Sequence, residues 1–247
     1  MKLLINCFVC LQKTGVPNME FMEVEICDDG IYKATCDCGH ETVTFLQQDK
    51  VEVLFEMGAM ALLDGYPREA VSSFAASLER FYELCIKVFL LKRGANMDNV
   101  DKTWKLVSNQ SERQLGAYYF LYLDILGNIP LCLDNKQVEF RNKVIHKGYI
   151  PKYDEVLKYA NYLLNYMLQI LIDLKLECND EIIQVTSGRF SNMRKGFIKD
   201  GKITRQIATM SIPTIVNLFD SNINYTNKDF TELLESKKEY YAKFYRR

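Results

Sequence analysis

The chain has 247 residues, 48% hydrophobic and 26% charged, with only 5 prolines. That much apolar surface offsets the entropy lost on folding and excludes wholesale disorder, and the length allows one substantial core plus a smaller satellite. A net charge of −1 and a pI near 6.2 exclude nucleic-acid binding through a global positive field, so any such site has to be a local patch.

The opening MKLLINCFVC has too short an apolar run for a secretory signal with a cleavage site. The most apolar helical pattern, near 156–174, is interrupted by Lys158, Asn161, Asn165, Gln169 and Asp173, so no membrane span is expected. Of 8 cysteines, five fall within the first 38 residues. Without an export signal this clustering predicts a cytoplasmic, reducing setting and metal binding rather than a disulfide framework.

Residues 1–47 alternate short β-prone runs (21–26, 31–35, 43–46) with turns such as Asp28-Asp29-Gly30, which predicts a small β module. Cys7-x-x-Cys10 and Cys36-x-Cys38-Gly39-His40 are separated by 25 residues that read as a hairpin, the layout of a zinc ribbon. Four thiolates brought together by two turns suit tetrahedral zinc, and a module of about 45 residues has too little core to fold well without such a staple. Cys7, Cys10, Cys36 and Cys38 are the preferred ligands. The second pair is spaced by one residue instead of two, which leaves His40 or Cys27 as substitutes for one ligand. Buried free thiols are the alternative. A closed four-ligand site is structural, because catalytic zinc keeps a position open for water. Cys85, Cys132 and Cys178 lie in apolar, helix-like contexts and read as core residues.

From about Gln48 the hydrophobic period changes to that of a helix. Val51, Leu54, Phe55, Ala59, Leu62 and Leu63 form one stripe, ended by Gly65. Pro67 opens a long amphipathic helix through Val71, Phe74, Leu78, Phe81, Cys85 and Phe89 to Gly94. Asp98 and Ser111 read as N-caps of helices over 99–108 and 112–126, the second ended by Gly127 and Pro130. A further helix spans 135–147 and ends at Gly148, and Pro151 and Asp154 open another whose stripe runs to Leu174. Short connections between such helices predict a bundle. The pattern weakens after Asp180. The stretch 188–206 carries Arg189, Arg194, Lys195, Lys199, Lys202 and Arg205 against Asp200, and 229–245 reads as a terminal helix. The expected organisation is a zinc-ribbon-like module over 1–47, a helical bundle over 48–185 and a C-terminal extension over 186–247.

The segment Phe140-Arg141-Asn142-Lys143-Val144-Ile145-His146-Lys147-Gly148 carries the most specific signal. It resembles the motif of HEPN domains, in which an arginine, a polar residue and, four to six positions after the arginine, a histidine lie on a late helix of a small bundle. The resemblance extends to the preceding long helix, where Pro67 to Phe74 and Ser77-Leu78-Glu79-Arg80-Phe81 are similar to the apolar helix with an embedded acid, and covers about 48–180. It implies a mainly α fold with a HEPN-like bundle, and a metal-independent endoribonuclease acting on RNA as a homodimer with facing motifs. Arg141 would hold the scissile phosphate, His146 would move protons and Asn142 would orient either. A toxin or anti-phage defence effector with a cognate inhibitor or defence-system partner is the biological setting that follows. The chemistry suits the residues: imidazole can act as acid and base at neutral pH, and guanidinium binds phosphate through paired hydrogen bonds.

Residues five apart on a helix are separated by about 140° around its axis, so Arg141 and His146 need a second protomer or a distortion to converge. Asn142 and His146 are four apart and share a face, which predicts a contact between them. Glu79 either supports the cleft or pairs with Arg80 or Lys87. The competing functions are a non-catalytic HEPN-like nucleotide- or protein-binding module, and a zinc-ribbon adaptor whose helical part only dimerises.

Overall fold

The computed structural model describes residues 1–16, 20–199, 207–220 and 228–244, and Asp200, Lys202 and Arg205 of the basic stretch lie outside them. In chain order the elements are β1 (Lys2–Ile5), α1 (Phe8–Thr14), β2 (Met22–Glu25), β3 (Ile31–Thr35) and β4 (Glu41–Leu46). Then follow α2 (Lys50–Leu63), α3 (Pro67–Lys92), α4 (Met97–Trp104), α5 (Ser111–Leu126), α6 (Asn135–Lys147), α7 (Tyr153–Lys199), β5 (Ile207–Met210) and α8 (Phe230–Phe244). The protein is mainly helical, with one two-stranded and one three-stranded sheet among the described residues. No helix among them is long and apolar enough to cross a membrane. The chain forms two compact units: residues 1–48, 188–213 and 235–247 in the first, and 49–187 and 214–234 in the second.

The helical unit begins at Asp49, for local reasons. Asp49 caps α2 by accepting the Val51 N–H, while its own N–H donates to Glu52 Oε2 at 2.8 Å, a reciprocal capping box. Pro67 opens α3, Asn96 accepts the Asp98 and Asn99 amides to start α4, and Asp134 accepts the Lys136 N–H to start α6. Gly148 ends α6 at φ 68, a left-handed position that glycine takes without the Cβ penalty. Ser111 is the first residue of α5 and makes no cap, which falls to Gln110 without a side-chain bond.

The core of this unit lies along α2, α3, α5 and the first part of α7, with the aromatic rings of Phe55, Phe74 and Phe230 meeting at 4.9–6.1 Å. Gly58 lets α2 approach α3, since a Cβ there would stand 2.6 Å from Phe74 Cε1. Glu52 and Glu56, each 1% exposed, accept the amides of Leu218 and Ile215 at 3.2 and 2.9 Å. These carboxylates satisfy backbone donors that would otherwise be buried without partners.

The other unit holds both sheets. β1 pairs antiparallel with β2, β3 antiparallel with β4, and β4 parallel with β5. The hairpin expected between the two cysteine pairs is therefore not formed, because β2 and β3 belong to different sheets. α7 does not stop near Asp180 as its fading stripe suggests. It leaves helical geometry at Cys178 (φ −136, ψ 28) and resumes, and its late residues Phe190, Met193 and Phe197 pack with Ile31, Val43 and Phe45 of the three-stranded sheet. Cys85 and Cys178 are buried as expected, but Cys132 is exposed in the loop before α6.

Candidate functional site

The cysteine cluster is assembled by a hairpin turn and a helix start. Thr35 faces Glu41 across β3 and β4, and one step further out the Cys36 N–H donates to the His40 carbonyl at 3.1 Å. Asp37, Cys38 and Gly39 make the three-residue loop, closed by the Gly39 N–H on the Cys36 carbonyl at 2.8 Å with Gly39 at φ 75. Directly opposed residues of a hairpin share a face, so Cys36 and His40 come together. Cys7 is the N-cap of α1 and Cys10 lies in its first turn, and both are buried.

His40 Nδ1 lies 3.4 Å from both Cys10 Sγ and Cys36 Sγ and 3.9 Å from Cys7 Sγ, and the Cys10 and Cys36 sulfurs are 3.8 Å apart. All four ligand atoms fall within 4.8 Å of one another. Tetrahedral zinc with bonds of about 2.3 Å to sulfur and about 2.0 Å to nitrogen requires edges of about 3.8 Å and about 3.5 Å. The four residues can hold a metal ion. Cys38, in the set preferred from sequence, is exposed and outside this group because the turn gives the cross-strand place to His40. Cys27 is exposed as well, with its thiol on Asp29 Oδ1 at 2.9 Å.

The cluster is polarised. Burial pushes the Cys10 thiol up to about 12, helped by hydrogen bonds with Cys7, Cys36 and Cys38. For Cys36 burial also opposes ionisation, but hydrogen bonds from the His40 backbone, from Cys7, from the Cys38 backbone and from the His40 ring outweigh it and bring the thiol down to about 6. Lys13 Nζ stands 2.9 Å from His40 Nε2, a contact the sequence did not announce.

In the helical unit Arg141 Nη2 donates to Glu79 Oε1 of α3 at 2.6 Å, and Nη1 donates to Asn142 Oδ1 at 3.3 Å. Both charged groups are partly sheltered, at 26% and 35% exposure for Arg141 and Glu79. Glu79 does not pair with Arg80 or Lys87, which hold Glu83 at 2.5 and 3.0 Å. Tyr159 of α7 is buried beside the pair. Burial drives its hydroxyl's pKa up, against the pull of Arg141 and with the push of Glu79.

His146 is exposed at the last turn of α6 and makes no hydrogen bond or ion pair among the described residues. The expected Asn142–His146 contact is absent because the Asn142 carbonyl serves Arg141. Arg141 turns to Glu79 and His146 to solvent, in line with their angular separation on a straight helix. The turn after His146 is clamped. Tyr149 Oη donates to both Glu155 oxygens at 3.1 and 2.9 Å, the Lys152 N–H donates to Glu155 at 2.8 Å, and Lys143 Nζ lies 3.6 Å from the Tyr149 ring centre. The Lys152-x-x-Glu155 spacing carried a readable trace of this clamp, since an acid three residues into a helix reaches back to its first free amide.

Of the basic stretch, Arg189 Nη1 donates to the Gln48 carbonyl at 3.1 Å, whereas Arg194 and Lys195 are exposed on α7. No family model matches this chain, and neither does any curated protein or solved structure.

Proposed function

We propose that the chain is a metal-independent endoribonuclease of HEPN type, acting on RNA as a homodimer, with a structural zinc on Cys7, Cys10, Cys36 and His40. The observation that carries the reading is the contrast along α6: Arg141 is aimed by Glu79 and Asn142, while His146 stands exposed and uncommitted. A guanidinium has five N–H donors, so two engaged in these bonds leave three for a phosphate.

In the proposed reaction the 2′-oxygen of a ribose attacks the adjacent phosphorus and its proton passes to the imidazole of His146. The bond from phosphorus to the 5′-oxygen breaks, and that oxygen takes a proton from an imidazolium. The products are a 2′,3′-cyclic phosphate and a free 5′-hydroxyl, with no redox step or cofactor. Arg141 stabilises the charge that gathers on the phosphoryl oxygens. Because Arg141 and His146 diverge within a protomer, α6 from each of two protomers supplies the missing partner. A growth-arresting toxin or anti-phage defence effector held by an inhibitor is the setting such an activity fits.

The test is incubation of purified, metal-loaded protein with total RNA in buffer free of added divalent metal, with end-group analysis of the fragments. His146→Ala is expected to lower cleavage by about 10²- to 10⁴-fold with fold and oligomer intact. Equal cleavage by the variant removes the catalytic assignment. The neutralisation of Arg141 by Glu79 favours a second reading, a non-catalytic nucleotide- or protein-binding module in which the ion pair braces α3 against α6. RNA retention without fragments is its signature.

A further inference from the structure

We infer that the outward face of α5 is a two-fold interface with a second copy of this chain, in which Phe120 of each copy enters the gap over Gly116 and Ala117 of the other. The inference rests on the homodimer reading above and names the surface through which the two copies meet.

The face is apolar at its centre and has no cover within the chain. α5 buries Gln114, Tyr118 and Tyr122 on its inner side. At 100° per residue Leu123, Gly116, Phe120, Arg113, Asp124 and Ala117 share an arc of about 120° on the other side. Phe120, in the middle, is 77% exposed, with Leu123 exposed beside it. A single exposed apolar side chain is ordinary, but Gly116 adds an independent observation. Glycine weakens a helix interior relative to alanine, and a Cβ at this position would meet nothing within 4 Å, so nothing inside the chain needs the space. A side chain from outside does. Arg113, Gly116, Ala117 and Phe120 frame the four-residue hole that receives a knob from a facing helix, and two of the four are as small as residues come.

The order of residues says which helix that is. Arg113, Ala117, Phe120 and Asp124 are spaced four, three and four apart, the seam of a helix pair. An antiparallel copy, turned about a point between Ala117 and Phe120, sets Ala117 against the second copy's Phe120 and Arg113 against its Asp124. Small meets large and cation meets carboxylate, and the two-fold axis makes each contact twice. A parallel copy would instead set arginine against arginine and aspartate against aspartate. Asp124 is already aimed, since Arg93 donates to both its carboxylate oxygens at 2.7 Å, and each oxygen keeps a lone pair for an incoming guanidinium. Arg113 has no side-chain partner among the described residues. Leu106 and Ile129 stand exposed just before and just after α5, and antiparallel pairing brings the start of one α5 beside the end of the other, which lengthens the apolar contact.

Sedimentation of the full chain over a range of concentrations tests the interface. The wild type is expected to form a dimer. Phe120→Lys should raise its dissociation constant by about 100-fold, because a central ring is replaced by a cation facing Arg113. Gly116→Leu fills the hole and should weaken the dimer as much, while the monomer melts no lower than the wild-type monomer, since leucine is the better helix former and the space is open. Arg113→Glu should weaken the dimer about tenfold, and adding Asp124→Lys should recover most of that loss. A dimer that Phe120→Lys and Gly116→Leu leave unchanged overturns the α5 interface and leaves the nuclease reading standing on another contact. A dimer that responds as expected but cuts no RNA upholds the interface and removes the nuclease. A wild type that stays monomeric overturns both.

Discussion

Glu79 of α3 and Arg141 of α6 hold each other at 2.6 Å, at a point where the sequence placed a phosphate-binding arginine and a supporting acid without joining them. A charge-assisted bond between partly sheltered groups fixes where the guanidinium points. Removal of the acid by Glu79→Gln is expected to cost about 1 kcal/mol in urea unfolding, since both groups keep some solvent screening. Cleavage of RNA should fall at least tenfold at the same time, because Arg141 loses its aim. Lowered stability with full cleavage would make the pair a brace and nothing more.

Metal removal should act on one unit. With Cys7, Cys10 and Cys36 buried around His40, the purified chain is expected to carry one equivalent of zinc, released by a strong chelator or by Cys7→Ser. Hydrogen exchange should then accelerate in β1–β4 while α2, α3 and α5 keep their protection, because the helical unit has its own apolar core. Unchanged exchange across the strands after the metal has left would deny it a structural role.

The clamp after His146 has a pH signature. The Lys152 amide and then the Tyr149 hydroxyl lower the Glu155 carboxyl from its ordinary 4.5, and the bond to Glu155 raises the Tyr149 phenol above 10.0. A depressed acid stabilises the fold above its unfolded value and loses that contribution as pH falls through the lower, folded one. A raised phenol contributes below its unfolded value and loses it as pH rises through the higher one. The Tm difference between wild type and Tyr149→Phe should therefore be flat between these limits and shrink at both ends. A difference at about pH 3 as large as at neutrality would remove the Tyr149–Glu155 bond from the account.

Gly58→Ala tests the close approach of α2 and α3. The new methyl would meet the Phe74 ring at 2.6–3.0 Å, and Phe74 is fully buried between Phe55 and Phe230. Overpacking of this kind costs about 1–3 kcal/mol, although alanine is the better helix former. Stability equal to or above that of the wild type in thermal unfolding would show that the ring can yield.

The contrast between what could and could not be read is physical. Helices α2, α3 and α6 were legible because their stripes and stops are local: Gly65, Pro67, Gly94 and Gly148 are written beside the turns they make. The late part of α7 was hidden because its apolar residues, Phe190, Met193 and Phe197, serve a different core from the stripe that ends at Leu174. β5 was invisible because its partner is β4, far away in sequence, and only that ladder makes it a strand. In the metal cluster three of four ligands followed from spacing. The choice of His40 over Cys38 depended on cross-strand register, which a cysteine count does not contain. Arg141 and Glu79 were each visible, but their pairing needed the crossing of α3 and α6.

The parallel ladder joining β4 to β5 has a bearing on biogenesis. The Ile212 amide that donates to Gln48 Oε1 spans 164 residues, so β3 and β4 are synthesised long before the segment that completes their sheet. During that interval the helices in between can condense on their own, and a captured ion would keep the early strands from straying into wrong pairings.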